Sequence, residues 1–139
     1  MGNAVKSVKM VATTEPRVVI IGAGMSGTAF AIRIKKNLGL NTFTIYERAQ
    51  EDGGTWRDNT YPGCACDVAS HWYSLSSELN PEWESKFASQ PEIKRYWKGI
   101  YNKNNLHERT VYNRTFKTAT WDEEKSIWNI TLFNSQNPN

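Results

Sequence analysis

Glycines 22, 24 and 27, written "GAGMSG", together with Glu47, twenty residues after the last of them, form a set whose members have separate tasks. Gly22 allows a tight turn out of a strand, Gly24 lets a pyrophosphate approach bare backbone, and Gly27 lets a helix lie close on a sheet. Met25 and Ser26 complete the opening of that helix, whose unpaired N–H groups and partial positive charge suit phosphate. Glu47 would accept hydrogen bonds from ribose hydroxyls, and its charge would repel a 2′-phosphate. The chemistry is dinucleotide binding, and these residues alone leave FAD and NAD both open.

The glycines have this meaning only between the right elements. "RVVII" at Arg17–Ile21 is a β-branched run, predicted as a strand buried on both faces. "TAFAIRIKKNL" places Phe30, Ile34 and Leu38 four residues apart, which predicts one apolar helix face, and Gly39 is placed to end the helix in a left-handed conformation. "NTFTIYE" alternates into a second strand that finishes at Glu47. Strand, glycine turn, helix, strand and acid together predict an α/β fold, a Rossmann-like βαβ unit on a parallel sheet.

A second stretch, "DGGTWRDNTYPGCACD" at residues 52–67, carries more chemistry than an ordinary loop. A glycine pair lets a chain pass close to a flat ring, and Trp56 or Tyr73 could stack on such a ring or serve as core aromatics. Cys64 and Cys66 are separated by one residue, so a disulfide between them would close a strained ring, and both are expected as free thiols. With His71 and His107 distant in sequence, the cysteines fit no zinc pattern, and no metal is expected.

At this stretch a resemblance becomes specific. "GGTW", then "YPG" and "CD", followed by "HWYSLS" and "FASQPEIKRYW", resemble the N-terminal third of a Baeyer–Villiger monooxygenase, from about Arg17 to about Phe133. Such flavoproteins use FAD, NADPH and dioxygen to insert oxygen beside a ketone. The resemblance implies that Gly53, Gly54, Thr55 and Trp56 line the ribityl and isoalloxazine region, that Tyr61-Pro62-Gly63 shapes the loop beneath the flavin, and that Cys66 and Asp67 lie near its reactive edge. It implies a supporting catalytic role for Asp67, paired with an arginine from the later NADPH-binding region, a flavin contact for Tyr73, and adenine held by the backbone of Phe116. Two departures stand out: Ala65 occupies a position where the family commonly has arginine, and Asn59-Thr60 replaces the more usual Asn-Arg. N- or S-oxygenating flavin monooxygenases share the FAD fingerprint and form the alternative, as does a non-catalytic nucleotide-binding fragment.

Beyond the motifs, Ser89 and Pro91 predict the start of a helix with Ile93, Tyr96, Trp97 and Ile100 on its apolar face and Glu92, Lys94, Arg95 and Lys98 on its solvated one. Arg109–Tyr112 reads as a strand, and "TFKTATW" with "IWNITLF" around "DEEKS" as a β-hairpin. Six tryptophans argue against disorder, and a net charge of +3 with scattered Lys and Arg gives no footprint for nucleic acid. Arg33, Lys35 and Lys36 cut the first apolar stretch too short for a membrane span, and Lys6 spoils a myristoylation motif at Gly2, so a cytoplasmic location is expected. Residues 1–15 are expected as a flexible leader and 16–139 as a partial FAD-binding domain. A second glycine fingerprint for NADPH, the family's His-containing fingerprint and the catalytic arginine find no match, so the chain is expected to be a fragment or truncated product. Self-association through an unpaired sheet edge is the accompanying expectation.

Overall fold

A computed structural model of the protein describes residues 15–136. The expected leader, apart from Glu15, lies outside the described residues, as does Gly2. Strand β1 (Val18–Ile21) leads through the glycine turn into helix α1 (Met25–Leu38), and β2 (Phe43–Tyr46) follows. A single turn of helix, α2 (Thr55–Asp58), precedes a long loop with a 3₁₀ turn at Ser70–Tyr73, then helix α3 (Gln90–Lys103). A short strand β3 (Thr110–Val111) and an antiparallel hairpin of β4 (Arg114–Asp122) and β5 (Ile127–Asn134) complete the order.

The sheet β1-β2-β3 is parallel throughout, with β2 central, Val18 opposite Phe43 and Ile45 opposite Thr110. The expected α/β fold with a βαβ unit is therefore present. Helix α1 ends as its sequence predicts: Gly39 sits at φ 66° and its N–H bonds the Ile34 carbonyl. The hairpin also forms where predicted, with Trp121 opposite Trp128 and a register shift between Phe116 and Thr118. No helix among the described residues is long and apolar enough to cross a membrane.

Three expectations need correction. The helix face buried by α1 is Thr28, Ala31, Ile32 and Ile34, while Phe30 and Leu38 are exposed. Close approach decides this: a Cβ added at Gly27 would lie 2.0 Å from the Gly22 carbonyl oxygen, so the small-residue stripe that continues from Gly27 to Ala31 must face the sheet. Strand β1 is buried on one face only, since Ile20 is 6% exposed but Val19 and Ile21 are 38% and 48% exposed. Ile20, Phe43 and Ile45 share one core with residues of both long helices. On α3, Glu92 is buried rather than solvated, because its carboxylate accepts the Glu84 N–H at 2.8 Å. The rest of the α3 prediction stands, with Ile93, Trp97 and Ile100 buried and Tyr96 packed at the edge of the core.

Candidate functional site

The site is made by two glycine loops that touch. Gly22 continues the β1 ladder by donating to the Tyr46 carbonyl at 2.8 Å, then turns at φ 95°, where a side chain would be strained. Ala23 follows, 1% exposed, and its carbonyl accepts the Gly53 N–H at 3.0 Å. That bond brings the loop of Gly53-Gly54 across the first loop. A Cβ at Gly54 would come within 2.8 Å of the Gly24 Cα, so the two backbones cross at a separation that leaves no room for a side chain on Gly54. The first amides of α1 have no intrahelical acceptor, no side chain among the described residues caps them, and no acid stands in the first turn.

Glu47 is built into this crossing. It is 3% exposed, and one carboxylate oxygen, Oε2, accepts the Ala23 N–H at 2.7 Å. The other, Oε1, accepts the Ala49 N–H at 2.9 Å and the Arg57 Nη1 at 3.0 Å. Arg57 reaches Glu47 from α2 and also donates to the Glu51 carbonyl at 2.6 Å and to Asp58. Burial works against the charge on Arg57, but the bonds to Asp58 and Glu47 outweigh it and hold the guanidinium above its ordinary value.

A cavity of about 390 Å³ opens beside the crossing, lined by Gly22, Gly24, Glu47, Gly54, Thr55 and Phe116 among others. A larger cleft of about 540 Å³ lies by Glu78, Tyr96 and Lys103 and shares no lining residue with it. The smaller one has the chemistry for a nucleotide: bare backbone, a helix start and a buried carboxylate. Phe116 reaches it because the base of the hairpin is tethered to the end of β2, with Arg114 N–H donating to the Glu47 carbonyl at 2.8 Å.

Residues 20–98, more than half of the chain, match the model of a family described as NAD(P)-binding Rossmann-like domain. The chain belongs to that family. The domain is 48% identical to a Baeyer–Villiger monooxygenase of Pseudomonas aeruginosa over 82% of this chain and 21% of that protein. It is 41% identical to an FAD-binding monooxygenase of Botryotinia fuckeliana over 79% of this chain and 21% of that protein. Among solved structures, an oxidized steroid monooxygenase bound to NADP matches with a TM-score of 0.74 at 35% identity, covering 84% of this chain and 23% of that one. The chain thus spans about a fifth of the length of these relatives.

Within this Rossmann-like domain three of the remaining expected site residues form a second group, outside the cavity lining. Met25, Trp56 and Tyr73 are joined by hydrogen bonds: Trp56 Nε1 donates to the Tyr73 hydroxyl at 2.9 Å, and that hydroxyl donates to the Met25 sulfur at 3.0 Å. Trp56 is buried and meets Tyr73 edge to face, with ring centroids 5.7 Å apart. Burial first, then the nearby Cys66 and Asp67, raise the Tyr73 hydroxyl above its ordinary value despite the opposing Trp56 bond. Cys66 is buried with its N–H on the Ala88 carbonyl, Cys64 is likewise buried, and both are free thiols. Asp67 is exposed. Ser26 and Gly27 belong to the first turn of α1, outside the lining.

Sequence reasoning missed Arg57, Arg114 and Thr115, which the cavity brings in. Arg57 had one legible signal: a carboxylate buried at a strand end needs a cation or several donors. Nothing in "TWRDN" showed that this arginine would turn toward Glu47 rather than pair only with its neighbour Asp58.

Proposed function

We propose that this domain is the FAD-binding N-terminal part of a flavin-dependent monooxygenase whose parent reaction is the NADPH- and dioxygen-dependent Baeyer–Villiger oxidation of a ketone to an ester or lactone. The observation that carries the reading is the Gly24–Gly54 crossing, where Gly54 has no room for a side chain and bare backbone borders the cavity, beside the open amides of α1 and the carboxylate of Glu47. Similarity to proteins named as Baeyer–Villiger and FAD-binding monooxygenases over most of the chain supports the choice of FAD.

The residues fit that cofactor. Gly22, Gly24 and the α1 start would take the pyrophosphate, with Met25, Ser26 and Gly27 forming the first turn of the helix. Glu47 would take ribose, and the Phe116 backbone the adenine side. Gly54 and Thr55 would continue the path toward the Met25–Tyr73–Trp56 group, with Cys66 and Asp67 close by. Bound FAD would supply the redox chemistry that activates dioxygen, with NADPH as its reductant in the parent enzyme. The domain's own work is to bind and orient the dinucleotide and to exclude water from its phosphates. Asp67, exposed in this domain, would serve as the partner of an arginine from the rest of the parent.

The test is retention of flavin. The purified chain, mixed with FAD and passed through gel filtration, should carry the visible flavin bands with the protein peak. Gly24→Val should elute without them, because the added side chain occupies the gap while the fold, followed by circular dichroism, persists. Equal flavin retention by the Gly24→Val protein would overturn the assignment of this loop.

A further inference from the structure

We infer that Arg57 is a positioning residue that fixes how Glu47 meets a ribose: it fills one carboxylate oxygen and leaves the other a single acceptor position, so that the domain senses one ribose hydroxyl rather than two. The inference rests on the reading of the cavity as the FAD site and adds to it a specificity.

A carboxylate offers about four acceptor positions, two on each oxygen. On Glu47 Oε1 both are taken, by Ala49 N–H at 2.9 Å and Arg57 Nη1 at 3.0 Å. On Oε2 one is taken, by Ala23 N–H at 2.7 Å. Three donors among the described residues therefore leave one position on a side chain that lines the cavity. The two backbone donors are fixed by the fold, but a carboxylate can still turn about its broad last torsion. Arg57 supplies the fixed charged donor that opposes such turning.

Arg57 is itself held. Its side chain is 10% exposed, its Nη1 also donates to the Glu51 carbonyl at 2.6 Å, and its Nε and Nη2 grip Asp58 at 2.8 and 3.1 Å. Asp58 in turn accepts from Arg48 at 2.8 Å on the exposed side. The planar guanidinium uses its fixed fork to address three groups at once, which a lysine cannot do. Without it, Oε1 would regain an acceptor position, and either ribose hydroxyl could find a partner.

The experiment is a titration of the full chain, read by flavin fluorescence, with FAD and with its analogues built on 2′-deoxyadenosine and 3′-deoxyadenosine. The wild-type chain should lose roughly tenfold or more in affinity for one analogue, the share of a hydroxyl bonded to a carboxylate, and stay within about twofold for the other. In Arg57→Met the contrast between the two analogues should collapse to within about twofold, and in Arg57→Lys it should fall between. Where Arg57→Met does not fold, Arg57→Lys decides alone by the same ratio. An unchanged contrast in the folded variants, or equal losses for both analogues in the wild-type chain, would overturn the inference while leaving the FAD site in place. A wild-type chain that binds no FAD would overturn the site reading, and the inference with it, before any analogue is added.

Discussion

At the scale of single residues, Gly27 shows how one missing atom decides a packing choice. In an exposed helix, replacing glycine by alanine gains about 1 kcal/mol. Here the added Cβ would lie 2.0 Å from the Gly22 carbonyl oxygen, a backbone atom with no room to yield. Overpacking of this kind costs about 1–3 kcal/mol, and a rigid backbone neighbour puts it at the upper end. Gly27→Ala should therefore lower the denaturant midpoint, with an unchanged slope, where helix propensity alone would raise it. The glycines were legible in the sequence because their spacing follows from this geometry. The apolar face of the same helix was not. Hydrophobicity favoured Phe30 and Leu38, but shape chose Thr28 and Ala31, and a residue's size relative to its neighbour cannot be read from periodicity.

At the scale of elements, both long helices are tied through one loop carboxylate. Glu78, whose side chain is 3% exposed, accepts Lys36 of α1 at 2.5 Å and Lys103 of α3 at 2.7 Å. Lys103 first, then Lys36, hold its carboxyl below the usual range. A depressed carboxyl contributes stability above its ordinary pKa, and that contribution is lost as pH falls through the lowered value. Glu78→Gln should cost about 1 kcal/mol at neutral pH, a modest figure because both lysine heads are substantially solvated. Chemical denaturation at neutral and acidic pH should show the wild-type advantage shrinking toward acid. An advantage that grows toward acid would contradict this account. Helix α3 was legible from Ser89, Pro91 and its apolar spacing, but the burial of Glu92 was not, since its partner is the backbone of a loop eight residues earlier. Strand β3 emerges shorter than its β-branched sequence suggested, pairing with β2 over two residues only.

At the scale of the whole molecule, stability is unevenly spread. Ile45 lies on the central strand of the sheet and is fully buried, whereas Lys117–Trp121 and Ile127–Asn129, the outer half of the hairpin, are exposed. The base of the hairpin is anchored by Arg114 and Asn113 to the carbonyls of Glu47 and Ala49. The outer half is supported by its own ladder, the Trp121–Trp128 pair with centroids 5.5 Å apart and the bonds of Lys125 to Asp122 at its turn. Native-state hydrogen exchange should release the amides of Thr120 and Trp128 by local opening, well before that of Ile45, which should require global unfolding. Equal protection at these positions would show that the hairpin is joined to the core more firmly than its burial implies. The crossing of Gly24 and Gly54 bears on how such a molecule can change over generations of mutation. Most crowded contacts can be relieved from either side, a gain in size at one residue being matched by a loss at the other. Here each partner is already the smallest residue there is, so neither has anything to give up for the other. An enlarged residue at Gly54, whose side chain would start 2.8 Å from the Gly24 Cα, has no second-site cure in its neighbour, and sequence drift can pass through this point of the chain only by leaving Gly54 untouched.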